Sequence, residues 1–310
     1  MKVAVVGAGG VGSVFGGRLA AAGHEVWLVH RRREVVEALR RDGLRLESAD
    51  GEEIIAVHAT DETSAIGPVD LVLILTKSTD TGAAAAASQP LMGDGSVAVT
   101  LQNGLGNLEV IAEELGPQRV LLGMTYVGAT VTGPGRARFT AAGQTFIGEP
   151  NGKFSERAKT LARMLTAAGL PTAATDRLWE MVWGKLVINA AMNATCALTG
   201  ASGAAALASP AAYEWVCLVA EETAAVARAL GVSLPYADPA QRVRQHCQDV
   251  GASKPSMLQD VERGRPTEID AINGAIVREG ARLGVPTPYN QALLLLIKAR
   301  EEVAVSARLA

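Results

Sequence analysis

Residues 2–12 read KVAVVGAGGVG, a Val-rich run that passes directly into three glycines spaced Gly7-x-Gly9-x-x-Gly12. A short run of this kind suits a strand covered on both faces. After Gly12 the apolar residues Val14, Phe15 and Leu19 recur at helical spacing. Strand, glycine turn and helix open a βαβ unit, and the same rhythm returns. Strand-like runs stand at EVWLV (25–29), LVLIL (71–75), VAVTL (97–101) and VLLGM (120–124), with helical patterns between most of them. That alternation predicts an α/β fold with a doubly wound parallel sheet. Residues 125–148 hold shorter strand-like pieces broken at Gly133-Pro134-Gly135, which suit an antiparallel edge.

In such a turn each glycine has a physical task. Gly7 permits the tight turn, Gly9 lets the backbone approach a pyrophosphate, and Gly12 lets helix and strand pack closely. The helix N-terminus then offers free N–H groups to the anion. Gly7, Ala8, Gly9, Gly10, Val11 and Gly12 are therefore the candidate dinucleotide turn. An NAD site usually carries Asp or Glu at the end of the second strand, for the ribose 2′-OH. This chain reads Val29-His30-Arg31-Arg32-Arg33 there. A guanidinium suits a 2′-phosphate, so NADP(H) is the expected cofactor, with Arg31 as its contact. The same triplet also fits a solvated helix start beside Glu34. Lys77 and Asn103 follow the third and fourth strands, where ligands of open α/β sheets bind.

From about Asp176 the rhythm changes to long helical patterns over 177–198, 210–230, 267–283 and 288–307. The chain thus divides into a Rossmann-type domain, 1–175, and an all-helical domain, 176–310. One of those helices, GKLVINAAMN (184–193), is apolar nearly all round, yet Lys185, Asn189 and Asn193 recur every four residues. Steps of four drift only about 40°, so the three share one face over roughly 12 Å. Buried polar groups need partners: a structural network, bound water or a ligand. A desolvated lysine is also moved towards the working range of a general acid. A second polar cluster runs from Ser253-Lys-Pro-Ser256 to Thr267-Glu268-Ile-Asp270. There Thr267 is placed to cap a helix beginning near Glu268.

A net charge of −3 gives no electrostatic case for nucleic acid. Cys196, Cys217 and Cys247 show neither disulfide nor metal-ligand spacing, so no metal is expected. No basic segment precedes an apolar leader, and apolar runs stop short of the roughly 20 residues a membrane span needs. A soluble, cytoplasmic protein with no membrane partner is the expectation. Composition leaves a homodimer open.

Taken together, Gly7-x-Gly9-x-x-Gly12, Arg31, Lys77, Gln102-Asn103-Gly104, Lys185-x3-Asn189-x3-Asn193 and Ser256-Met-Leu-Gln-Asp…Thr267-Glu268-Ile-Asp-x-Ile-Asn-Gly resemble ketopantoate reductase (2-dehydropantoate 2-reductase). The match runs through nearly the whole chain in order. The resemblance implies a helical C-terminal domain like that of 6-phosphogluconate dehydrogenase, and a site in the cleft between the two domains. It implies NADPH-dependent reduction of a small 2-keto acid, 2-dehydropantoate, to pantoate, on the route to pantothenate and coenzyme A. It gives Lys185 as proton donor and Glu268 as the acid that meets the substrate hydroxyl and the nicotinamide ribose. It makes Asn103, Asn189, Asn193 and Ser256 substrate-binding positions. Arg31, Lys77, Asn103, Ala129 and Glu268 join the glycine turn as cofactor contacts. The chain departs from the family at Thr199-Gly-Ala-Ser-Gly-Ala, where well-studied members carry a further asparagine and Ser202 is the candidate substitute. Two other functions stay open: a reductase or dehydrogenase of another 2-keto acid, and a non-enzymatic NADP(H) sensor.

Overall fold

The computed structural model describes residues 1–309. The chain forms two compact units, one of Met1–Gln102 with Asn107–Leu178, the other of Asn103–Gly106 with everything from Trp179 onward. The second unit therefore includes four residues from inside the first half of the sequence, which a single cut near residue 175 does not capture.

The first unit runs β1 (Lys2–Val6), α1 (Gly10–Ala21), β2 (Glu25–Val29), α2 (Arg33–Asp42), β3 (Leu44–Ser48), β4 (Gly51–Ile55), β5 (His58–Thr60) and β6 (Val69–Ile74). It continues with α3 (Thr81–Ser88), β7 (Met92–Thr100), α4 (Asn107–Leu115), β8 (Val120–Thr125), β9 (Gly128–Gly133), β10 (Arg136–Ala141), β11 (Thr145–Gly148), α5 (Glu156–Ala167) and β12 (Thr172–Ala174). Its main sheet has the order β12-β11-β8-β7-β6-β1-β2-β5. The strands from β8 to β5 in that order pair in parallel, and β11 pairs antiparallel with β8. This is the expected doubly wound α/β sheet. Val3, Ala4, Val5, Leu71, Val72, Leu73 and Ala98 are wholly buried, as strands covered on both faces require.

The strands within 128–148 do pair antiparallel, but only β11 joins the main sheet, against β8. The hairpin β9–β10 instead joins β3–β4 in a separate four-stranded sheet, order β4-β3-β10-β9. The reason is local burial: β10 pairs in parallel with β3, and together they seal Ala137 and Leu46 away from solvent.

The helical unit contains α6 (Leu178–Thr199), α7 (Gly203–Ala208), α8 (Pro210–Ala229), α9 (Pro239–Val250), α10 (Ser256–Glu262), α11 (Asn273–Leu283) and α12 (Pro288–Leu309). Helix α6 is its axis, with Leu186, Val187, Ile188, Ala190, Ala191 and Met192 all buried. Aromatic side chains being scarce, the core is built from Ala, Val, Leu and Ile. A buried polar ladder ties the helices together. Asn273 donates to the carbonyl of Ala190 (3.1 Å) and to Asn290 Oδ1 (2.9 Å), while Asn290 donates to Glu222 (2.8 Å). No helix among the described residues is long and apolar enough to cross a membrane.

Candidate active site

The glycine turn between β1 and α1 has the features a pyrophosphate cradle needs. Gly7 has φ +102°, and a Cβ there would lie 2.6 Å from Thr76 N, so only glycine fits. A Cβ on Gly12 would lie 2.2 Å from the carbonyl of Gly7, which enforces close packing of helix on turn. At Gly9 a Cβ would meet nothing within 4 Å, leaving its backbone open to a ligand. Gly9 is also the N-cap of α1 and brings no side chain to the first N–H groups. Gly10 lies against Ala129, whose carbonyl a Cβ would approach to 2.8 Å, so Ala129 stands beside the same helix end. These residues fit a dinucleotide.

The three arginines after β2 separate into distinct roles. Arg32 pairs with Glu34 (3.2 Å) and Arg33 with Glu37 (3.1 Å), ordinary surface pairs at the start of α2. Arg31 alone reaches across to another strand end, where it pairs with Asp80 (2.9 Å). Lys77 begins the turn that leads from β6 to Asp80, whose backbone N–H donates to the Lys77 carbonyl (2.9 Å). At the end of β7, Gln102 donates to the carbonyl of Thr76 (3.0 Å) and to the hydroxyl of Thr81 (2.8 Å), locking neighbouring strand ends together.

In the helical unit, Lys185 and Asn189 are half-buried on α6 and Asn193 is buried. The Lys185 ammonium donates to Asn103 Oδ1 over 2.7 Å. Asn103 is held there by its neighbours. Leu105 N–H donates to the carbonyl of Ala271 (2.8 Å). Gly104, at φ +83°, passes so close to Ala271 that a Cβ would meet its oxygen at 2.3 Å. Ala271 belongs to the turn that carries Glu268, closed by Ala271 and Ile272 N–H donating to the Glu268 carbonyl, both at 3.1 Å. Glu268 is buried. Burial holds the Lys185 amine down at about 8, against an opposing pull from the nearby Glu268 carboxylate. Among the described residues no group of acids, histidines and cysteines has metal-binding geometry.

One expectation, the start of the helix after Thr267, changes in detail, and two serines receive a local setting. Thr267 does accept from Ile269 N–H (3.3 Å), but α11 begins only at Asn273, because residues 268–272 form successive tight turns. Ser256 is the exposed first residue of α10. Ser202 caps α7, its Oγ accepting from Ala205 N–H at 3.3 Å, which gives that hydroxyl a local task.

Sequence reasoning passed over two features beside Lys185. Gly184 admits Pro235, whose ring a Cβ would meet at 2.8 Å, and its carbonyl accepts from the Tyr236 hydroxyl (2.8 Å). About two turns further along α6, Cys247 Sγ donates to Met192 Sδ (3.4 Å), so α9 packs against α6 next to Asn193. His246 lies on α9, near enough to Lys185 to feel its charge. Burial first, then Arg242 and Lys185, pull the imidazole down to about 4, with only Asp249 opposing. A lone histidine in an amphipathic helix gives no sequence signal of that setting.

A cradle for a dinucleotide in one unit, and in the other an amine drawn towards neutrality beside a carboxylate and amides, define a nicotinamide-dependent oxidoreductase. The family model described as "Ketopantoate reductase PanE/ApbA" matches residues 3–152, and its C-terminal counterpart matches 177–301. The 2-dehydropantoate 2-reductase of Mesorhizobium japonicum is 34% identical, with 96% of this chain and 97% of that protein covered. The crystal structure of a PanE/ApbA family ketopantoate reductase from Ralstonia eutropha JMP134 has a TM-score of 0.91 and 38% identity, covering 98% of this chain and 99% of that one. A D-mandelate dehydrogenase solved with NADH and anilino(oxo)acetate has a TM-score of 0.92 and 29% identity, covering 98% and 99%. The chain belongs to the ketopantoate reductase family.

Proposed function

We propose that this chain reduces 2-dehydropantoate to pantoate with NADPH, a step towards pantothenate and coenzyme A. The observation that carries the reading is the half-buried Lys185 amine, fixed by Asn103 at 2.7 Å and held at about 8. When bound, the nicotinamide supplies the hydride that adds to the keto carbon. As negative charge grows on the keto oxygen, the Lys185 ammonium stabilises it and then gives up a proton to it. The amine regains its proton from solvent before the next turnover. Glu268 keeps the ammonium form populated, because its negative charge opposes desolvation. Asn103 limits the positions the Nζ adopts, which is worth rate because misplacement of a reacting group is costly. Asn189, Asn193 and Ser256 provide neutral donors and acceptors for the hydroxyls and carboxylate of a small acid.

NADPH is favoured over NADH because Arg31, and no acidic residue, follows β2. Lys77, Ala129 and the glycine turn complete the cofactor contacts, with Asn103 and Glu268 at the nicotinamide end. The likeness to D-mandelate dehydrogenase supports a second reading, in which another 2-keto acid is the substrate. Initial rates with NADPH and NADH against 2-dehydropantoate, pyruvate and phenylglyoxylate decide between them. Highest kcat/KM for 2-dehydropantoate with NADPH is the expected result; a preference for phenylglyoxylate with NADH supports the other reading.

A further inference from the structure

Asp80 occupies the N-cap of α3, yet its side chain makes no capping hydrogen bond. An aspartate there normally accepts from the N–H groups of the first helical turn. Its Oδ1 accepts instead from Arg31 Nη1 at 2.9 Å, a partner 49 residues away. In the sheet, β1 lies between β2 and β6. Arg31 follows β2 and Asp80 follows β6, so the pair spans the carboxyl end of β1 above the Gly7 turn. In a fold of this type the adenosine ribose of a dinucleotide lies there. An NAD site presents an acid to that ribose and an NADP site presents an arginine. Here both are present, the acid arriving from a different strand end.

We infer that Asp80 is a specificity-determining residue, competing with the cofactor 2′-phosphate for Arg31 and so narrowing the preference for NADPH over NADH. This rests on the NADPH reading above. A 2′-phosphate brings up to two negative charges to a guanidinium already neutralised by a carboxylate, and the carboxylate repels it. NADH brings no charge to that position, and its 2′-OH is a donor that a carboxylate accepts. Neighbouring cations do not substitute for Arg31 freely, since Arg32 and Arg33 are paired with Glu34 and Glu37. The Arg31 and Asp80 side chains are 79% and 35% exposed, so the competition has the strength of a surface ion pair and is sensitive to salt.

The test is the dissociation constant of NADPH and of NADH, by titration of the full chain, for wild type, Asp80→Asn, Arg31→Ala and the double variant. Asparagine keeps the capping capacity of the position, and a thermal melt checks each fold. The expected result is a two- to fivefold tightening of NADPH by Asp80→Asn, with NADH unchanged or weaker. The gain disappears in the Arg31→Ala background and shrinks at about 1 M salt. A gain shared equally by NADH, a gain that survives loss of Arg31, or weaker NADPH binding overturns the inference. If Arg31→Ala weakens NADPH while Asp80→Asn leaves it unchanged, this inference alone falls. If Arg31→Ala leaves NADPH as tight as before, the NADPH reading falls with it.

Discussion

The ammonium of Lys185 donates to the side-chain oxygen of Asn103 over 2.7 Å, joining residues 82 apart in sequence. The amide does for the lysine part of what solvent would otherwise do: it accepts from one of its donors. Because an amide carries no charge, it fixes the position of the amine while favouring the ammonium less than a second carboxylate would. Asn103 thereby fixes position, while proton affinity is set first by burial, with Glu268 opposing it.

Asn103→Ala is expected to lower kcat by one to two orders of magnitude, with a smaller change in the NADPH dissociation constant, because it loosens a reacting group. Steady-state kinetics beside cofactor titration checks the split. An equal loss in both would mean that Asn103 acts chiefly through the cofactor.

The pH dependence follows from the amine. Reduction needs Lys185 protonated, so kcat/KM is flat below about 8 and falls above it. Oxidation of pantoate needs the free amine and shows the opposite limb. Glu268→Gln removes the charge that favours the ammonium, so the falling limb moves to lower pH. Profiles from pH 6 to 10 for both enzymes measure this directly.

The glycine turn separates packing from ligand access. Gly9→Ala places a methyl group in open space, so the melting temperature holds while dinucleotide binding weakens. Gly12→Ala drives a methyl group into the Gly7 carbonyl and is expected to remove about 1–3 kcal/mol of stability. Urea melts with cofactor titrations distinguish the two.

The polar ladder behind α6 is a stability element. Asn273→Ala leaves the Ala190 carbonyl and Asn290 without their donor inside the core, which costs about 1–3 kcal/mol. A shift of the urea midpoint at unchanged slope is the expected signature.

Burial pushes the Cys196 thiol up to about 12 and raises that of Cys247 as well. Neither is expected to react with iodoacetamide in the native protein at pH 8, whereas all three cysteines react in denaturant. Mass spectrometry of the labelled chain reads the count.

Much of this was legible in the sequence where the signal is local. KVAVV and EVWLV coincide with β1 and β2 because fully covered strands advertise themselves as apolar runs between turns. The stripe on α6 was legible because three polar residues at steps of four are conspicuous in an otherwise apolar helix. What depends on distant pairing was not. The separate sheet forms only because β10 finds β3 about ninety residues earlier, and neither strand alone says so. The helix reads as starting near Glu268 because Thr267 looks like a cap, while 268–272 turn on themselves, with Ala271 and Ile272 N–H both donating to the Glu268 carbonyl. Arg31 stood out as a cation, but its partner Asp80 sat unnoticed in a polar loop.

The central claim is that Lys185 is the proton donor of a keto-acid reduction. The most direct measurement is the single-turnover rate of NADPH oxidation with 2-dehydropantoate by wild type and Lys185→Ala, each with its NADPH dissociation constant. The account predicts a fall of about 10²–10⁴-fold in rate with cofactor binding preserved. A variant that turns over within a few-fold of wild type, or a wild type that binds NADPH tightly yet transfers its hydride to none of the keto acids, would contradict it.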